Sequence, residues 1–306
     1  MPFTTPMLVA GSRPATIALL LAVAAACGPE PGADPAPISV TDPAGRTVSL
    51  HQPARRVVAM MPAVNEWIIA MGAADRLIAR TDYDDDPALA GLPSVGGGLT
   101  PSVEWLAARR PDLVVAWPDA PSRSLVARLE ALEIPVYTAP VETLAQAFRV
   151  PLDLGTLLGI EDAAARAVAR VEDGLDSVRA AVADRPRPGV LFLIGLDPLM
   201  AAGPGTFLHE LLTLAGGRNV LGDLDLLWPQ ISLEEVVRRA PDVVIVATAA
   251  VDDPAALLAG RPGWREVPAV RSGAVYALDP DRTNRPGPHV HEAAARLAGL
   301  LHPGLR

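Results

Sequence analysis

From residue 37 onward, short runs of β-branched and other apolar residues alternate with stretches whose apolar positions recur at helical spacing. That alternation predicts an α/β fold with parallel sheets, because strands buried on both faces read as continuous apolar runs and need helical crossovers. The first half predicts strands at residues 56–60, 77–80, 113–116 and 136–138; the second predicts them at 190–194, 243–246 and 275–278. Between the halves, residues 160–183 carry Ala, Leu, Val and Arg at helical spacing, with Glu161 and Asp162 in the first turn and Pro186 beyond the end. Acidic residues at the start and proline past the end mark a complete helix. At 1.5 Å per residue it would reach ~36 Å. Its one glycine, Gly174, is isolated and it contains no proline, so it reads as a strut rather than a hinge. The expected organisation is a lobe over residues 38–150, an interdomain helix region over 151–185 and a second lobe over 186–306.

An internal repeat supports two related lobes. Ser102-Val-Glu-Trp-Leu-Ala-Ala-Arg-Arg-Pro-Asp-Leu-Val-Val aligns without gaps on Ser232-Leu-Glu-Glu-Val-Val-Arg-Arg-Ala-Pro-Asp-Val-Val-Ile. Both copies read as a Ser-capped helix with a glutamate in its first turn, then Pro-Asp leading into a buried strand. A weaker pair sets Asn65-Glu66-Trp67-Ile68 with Gly72 against His209-Glu210-Leu211-Leu212 with Gly216. A helix, Pro-Asp and an apolar strand recur in many α/β proteins, but two matched pairs in one order argue for related halves.

The chain before residue 38 has another character. Residues 14–26 form an uncharged apolar run after Arg13, short of the ~20 residues a membrane-spanning helix needs. With small residues at its end, the run predicts a secretory signal peptide over residues 1–26. Ala25-Ala26-Cys27 resembles the lipobox of bacterial lipoproteins, which implies that Cys27 is acylated and becomes the mature N-terminus. Residues 27–37, dominated by Pro, Gly and Ala, read as a flexible tether. An extracytoplasmic protein, periplasmic or on the outer face of the cell membrane, is expected.

Composition removes several classes of function. The 306 residues suffice for about two domains, each with its own core. A net charge of -9 argues against nucleic-acid binding, which needs a basic face. All 26 basic residues are arginine, so P-loop and Schiff-base lysine chemistry are excluded. Cys27 is the sole cysteine, which leaves no internal disulfide and no cysteine-based metal site. There is no G-x-S-x-G elbow, and Gly96-Gly97-Gly98 lacks the spacing of a phosphate loop. The run Asp82-Tyr83-Asp84-Asp85-Asp86 lacks the alternating ligands of a calcium loop, and His289 and His291 read as a surface pair; no metal site is expected.

Aromatic residues make up only 4% of the chain, so each tryptophan near a strand end is informative. Trp117 directly follows the strand at 113–116, at the carboxyl end where ligands of open α/β sheets sit. Trp228 precedes the second repeat helix, and Tyr83 lies in the loop after residues 77–80. Trp67, Trp105 and Trp264 sit in helices or flanking turns and read as packing residues.

Five ordered stretches now point to a family. They are Arg56-Val-Val-Ala-Met-Met-Pro-Ala-Val-Asn-Glu with Met71-Gly-Ala-Ala-Asp-Arg, Thr81-Asp-Tyr, Pro111-Asp-Leu-Val-Val-Ala-Trp, Trp228-Pro-Gln-Ile-Ser-Leu-Glu and Asn284-Arg-Pro-Gly-Pro. Together they resemble class III periplasmic binding proteins, the substrate-binding subunits of ABC importers for cobalamin, haem and ferric siderophores. The resemblance covers roughly residues 38–303. It implies two Rossmann-like lobes joined by a single long rigid helix, with ligand in the cleft between them and no catalysis. It is closest to the cobalamin-binding member, which implies ligand contacts at Tyr83, Trp117, Met200 and Trp228, and a further cleft Trp at the position held here by Gly98. Haem would instead call for an axial ligand such as Tyr83, and an anionic siderophore for Arg282 and Arg285. A secreted two-lobe enzyme is the remaining alternative. The family's docking glutamates match Glu104 and Glu234, which implies a two-fold permease dimer as partner. The protein is expected to act as a monomer without a resident cofactor, its ligand a cobalt corrinoid.

Overall fold

The computed structural model describes residues 36–99, 101–118, 120–248 and 253–305. The signal-peptide and tether readings, Cys27 among them, lie outside the described residues except for Ala36 and Pro37. The body of the chain opens with an antiparallel hairpin, β1 (Ile38–Thr41) and β2 (Thr47–Leu50). There follow β3 (Val57–Ala59), α1 (Pro62–Ala70), α2 (Val103–Arg109), β4 (Leu113–Ala116), α3 (Ala120–Glu130) and β5 (Val136–Thr138). Strands β3, β4 and β5 form a parallel sheet in that order, with every residue buried. This is the burial that uninterrupted Val/Leu/Ala runs dictate.

Sequence pattern overstates one strand. Residues 77–80 form only two bridges, Leu77 to Val57 and Arg80 to Ser94. The segment touches β3 at one end and a different partner at the other, so no ladder develops.

Asp42 anchors the hairpin to the sheet. Its buried carboxylate accepts bonds from the Arg46 backbone N–H (2.9 Å) and guanidinium (2.7 Å), and from the Thr138 hydroxyl (2.8 Å). Burial pushes its pKa up, but the bonds from Arg46 and Thr138 outweigh that and hold it below its ordinary value of 3.8. A depressed folded-state pKa stabilises the fold above the ordinary value and is lost as pH drops through the folded-state value. Asp42→Asn is therefore expected to cost roughly 2–3 kcal/mol at neutral pH, with the gap to wild type narrowing in acid. Denaturant titrations of both proteins at neutral and low pH check this.

Helices α4 (Leu144–Leu158) and α5 (Glu161–Ala181) join the halves. The strut is α5, with Ile160 and Val182 as its caps, and 21 residues give it a length of about 31 Å. The second half continues with β6 (Gly189–Leu196), β7 (Leu199–Ala201), α6 (Phe207–Leu214), β8 (Arg218–Asn219), α7 (Leu233–Arg239), β9 (Val243–Ala247), α8 (Pro254–Ala259), α9 (Pro268–Ser272), β10 (Val275–Leu278), α10 (Pro280–Thr283) and α11 (Val290–Leu301). Its sheet runs β10-β9-β6-β7 with β8 against the start of β6; β7 is antiparallel and the others are parallel.

The strut does not stand alone. Helix α4 runs across the expected boundary at residue 150, turns at Gly159 in the left-handed region (φ 66°) and packs on α5. Gly155 allows that approach, since a Cβ there would lie 2.5 Å from Ala164. On the other side α5 packs against α11, where Gly174 receives the ring of His291. One apolar cluster therefore runs from Val57 and Val115 through Val168 and Val171 of α5 to Phe192, Ile245 and Leu297.

The repeat is physical. Helices α2 and α7 are each seven residues long, each is capped by its serine (Ser102, Ser232), and each ends in a left-handed residue, Arg110 (φ 47°) and Ala240 (φ 46°). The following aspartates also act alike: Asp112 accepts from the N–H of Arg55 (2.9 Å) and Arg56 (3.0 Å), and Asp242 from that of Gly189 (2.7 Å). Each Pro-Asp thus pins the start of the neighbouring parallel strand, β3 or β6.

Candidate functional site

A cavity of about 310 Å³ is lined by residues of both halves. The first half supplies Met61–Ala63 at the start of α1, Trp117 after β4, and Val141 and Glu142 before α4. The second half supplies Ile194 of β6, Phe207 and Leu208 at the start of α6, Trp228, and residues 284–286. Most of this surface is apolar or aromatic.

Both expected tryptophans line it. The Trp117 indole N–H donates to the Met60 carbonyl (3.2 Å), which fixes the ring at the end of the sheet. Trp228 is carried on an extra edge beside β7: Ala201 N–H donates to Pro229 O (3.1 Å) and Gly203 N–H to Leu227 O (2.8 Å). Only glycine fits at residue 203, because a Cβ there would lie 1.9 Å from Leu226 O. The Met60 carbonyl also explains Gly98: a Cβ there would come within 2.2 Å of it, at φ +82°. The further cleft Trp therefore has no counterpart at this position.

Other expected contacts fall elsewhere. Tyr83 is 60% exposed, with its ring over Gly97, and is not among the lining residues. Met200 faces Gly195 across the β6–β7 turn, opposite Gln230 in register, and also does not line the cavity. Arg282 is exposed and borders a separate depression with Glu66, Asp85, Asp281 and His289. His289 pairs with Glu292, while His291 packs on Gly174.

Arg285 does line the cavity, but its charge is already matched. It contacts Glu66 (3.3 Å) and Asp281 (2.7 Å) and donates to the Tyr83 carbonyl (2.9 Å), with its side chain 13% exposed. Burial raises the Glu66 pKa, and the Arg285 charge offsets part of that rise. Asn284 is the other polar wall residue of this segment, and its buried Oδ1 has no partner among the described residues.

Residue pattern missed Met61, Pro62, Val141, Ile194, Phe207, Leu208 and Pro286 as wall residues. The weaker repeat lay close to the usable signal: it pairs residues 65–68 of α1 with 209–212 of α6, just beyond the wall residues at the starts of those two helices. The packing tryptophans stand as read: Trp67 and Trp264 are buried, and Arg109 stacks 3.3 Å over Trp105.

The profile of the periplasmic binding protein family matches residues 57–282. The chain belongs to that family. Among curated relatives, the vitamin B12-binding protein of Vibrio cholerae is 26% identical over 254 residues, covering 81% of this chain and 90% of that protein. The cobalamin-binding protein of Halobacterium salinarum is 29% identical over 302 residues, covering 92% and 81%. Among solved structures, the vitamin B12-binding protein BtuF of Vibrio cholerae superposes with a TM-score of 0.70 at 26% identity, over 81% of this chain and 97% of that one. The haem-binding protein RhuT of Roseiflexus sp. RS-1 gives 0.73 at 25% identity, over 83% and 100%.

In this periplasmic binding protein the lobes share a core through α5, so they are expected to move little when ligand binds. A sharp bend in α5 would need a proline, a bulge or a broken hydrogen-bond ladder. Scattering curves with and without ligand should nearly superimpose; a domain-scale closure would contradict the strut.

Proposed function

We propose that the protein is the substrate-binding subunit of an ABC importer for a corrinoid, with cobalamin as its ligand, and that it is a binder rather than an enzyme. The apolar and aromatic character of the walls carries the choice: they offer no unmatched cation, and Glu142 is the one carboxylate among their described residues. Trp117, Trp228, Phe207, Ile194 and Val141 supply an aromatic and aliphatic surface, Asn284 supplies an amide, and Glu66 and Asp281 neutralise Arg285. A corrin has broad apolar edges fringed by neutral amides, which such walls suit. An anionic siderophore needs unmatched cations, and among the described residues the one arginine on the wall is paired. Haem needs an axial donor, and among the described residues no histidine or tyrosine lines the cavity. The cavity takes one edge of so large a ligand, with the rest in the open cleft. The relatives named for vitamin B12 and cobalamin support the same reading. Similarity to RhuT keeps haem as the second reading.

Purified protein mixed separately with cobalamin, haem and a ferric siderophore, then desalted, tests this by absorbance. Retained corrinoid bands support the proposal; retained haem or siderophore bands alone overturn it.

The proposal includes an extracytoplasmic monomer anchored through lipid on Cys27. Among the described residues no helix is long and apolar enough to cross a membrane. A relative from Bacillus subtilis, 26% identical, is named a substrate-binding lipoprotein. Two or three acyl chains anchor stably where one binds only marginally. Intact mass of membrane-extracted protein should equal the chain from Cys27 plus its acyl groups; an unmodified mass or a different start would refute the anchor.

A further inference from the structure

Two pairs of contacts cross between the halves beside the cavity, and the repeat relates the glutamate in each. Glu66, on α1 of the first lobe, binds Arg285 of the second, and the neighbouring Trp67 indole N–H donates to Pro286 O (3.3 Å). Gly287 lets this strand of chain come close, since a Cβ there would lie 2.4 Å from Glu66 Oε2. Residues 284–286 are thereby held on the first lobe, and they form one wall of the cavity. Glu210, the partner of Glu66 in the weaker repeat, lies on α6 of the second lobe. Its Oε2 accepts from the Leu144 N–H (2.7 Å), and on the same helix the Phe207 N–H donates to Glu142 O (2.5 Å). Val141 and Glu142, which follow β5 of the first lobe, are thereby held on the second, and they form another part of the wall. Neither glutamate lines the cavity itself.

We propose that Glu66 and Glu210 are a repeat-related pair of positioning residues, each holding a wall segment that belongs to the opposite lobe and so presetting the shape of the ligand site. The proposal rests on the reading of this cavity as the ligand site. Each contact resists loss for a definite reason. Glu66 and Arg285 are both largely buried; removing Arg285 leaves the Glu66 carboxylate without its partner, while removing Glu66 leaves Arg285 held only by Asp281 and the Tyr83 carbonyl, with nothing tying it to α1. Leu144 is the first residue of α4, and a carboxylate on its N–H also meets the positive end of that helix. Walls ordered before ligand arrives lower the entropy cost of binding, and loosened walls raise the dissociation rate most.

The test uses the mature full-length chain with Glu66→Ala, Glu210→Ala and Glu66→Gln. Without ligand, hydrogen exchange is followed over residues 284–290 and 141–146. Each alanine variant is expected to raise exchange in the segment its glutamate holds, to weaken cobalamin binding roughly tenfold through faster dissociation, and to remain folded at assay temperature. Glu66→Gln keeps an acceptor and should lose less than Glu66→Ala. Unchanged exchange in both segments overturns the proposal. So does a lowered melting temperature with affinity within about twofold of wild type, because a purely structural contact behaves that way. If wild-type protein retains no cobalamin, the ligand reading falls, and the exchange measurement alone decides the wall assignment.

Discussion

Reversing the charge at both Glu104 and Glu234 is expected to abolish uptake while leaving ligand affinity in solution unchanged. The two carboxylates occupy matching places, second residue of the capped helices α2 and α7. Each is held below the ordinary glutamate pKa, first by its own backbone N–H and then by the capping serine hydroxyl, so both are charged at any physiological pH. Glu104 additionally pairs with Arg128 (2.8 Å), an exposed contact that a partner arginine can displace at little cost. A permease dimer offering two matched cations would meet both at once through charge-assisted, salt-dependent bonds. Helix-dipole complementation is the competing role, and it predicts only a small loss of stability from Glu104→Arg with Glu234→Arg. Transport by permease vesicles supplied with the double variant separates the two; undiminished transport would reduce both glutamates to helix-start residues.

Trp117→Ala and Trp228→Ala are each expected to weaken cobalamin binding about 30-fold, or ~2 kcal/mol. Both rings are half-buried and line the cavity from opposite lobes. Both are fixed without ligand, the Trp117 ring through its indole N–H on Met60 O and the Trp228 segment through the backbone edge beside β7. Little ordering is left for binding to impose, so truncation removes contact rather than disorder. Titration calorimetry on the folded variants reads the loss. Wild-type affinity in both would make these rings core and remove the corrinoid assignment.

Strands β4, β5 and β10 stand at their expected residues because their apolar runs are uninterrupted and bounded by turns. The hairpin β1–β2 was not legible: its strands have only four residues each, and β1 buries its alternate positions only in part. Helix α4 was hidden by Pro151 inside it, although Thr143 and Gln146 form a capping box that marks its start. At the site, Trp117 and Trp228 were readable because each follows or precedes a recognisable element. The role of Arg285 was not, because a sequence places an arginine near a cleft but does not show the carboxylates that already hold it. Tyr83 illustrates the same limit: its carbonyl is engaged while its ring lies against Gly97 and is not part of the cavity's lining.

The unbroken apolar cluster through α5 has a consequence for how such a molecule can be divided. Val168 and Val171 belong to one cluster that also holds residues of the sheets of both halves, and α5 packs on α11, so a chain cut after residue 185 would leave that face of α5 bare, and a chain begun there would lack the surface that covers α11. The two copies of the repeat resemble each other, yet neither is a free-standing module. Exchange of one lobe with that of a relative would have to carry matching residues on both sides of α5, which couples the inheritance of the two halves more tightly than their separate sheets suggest.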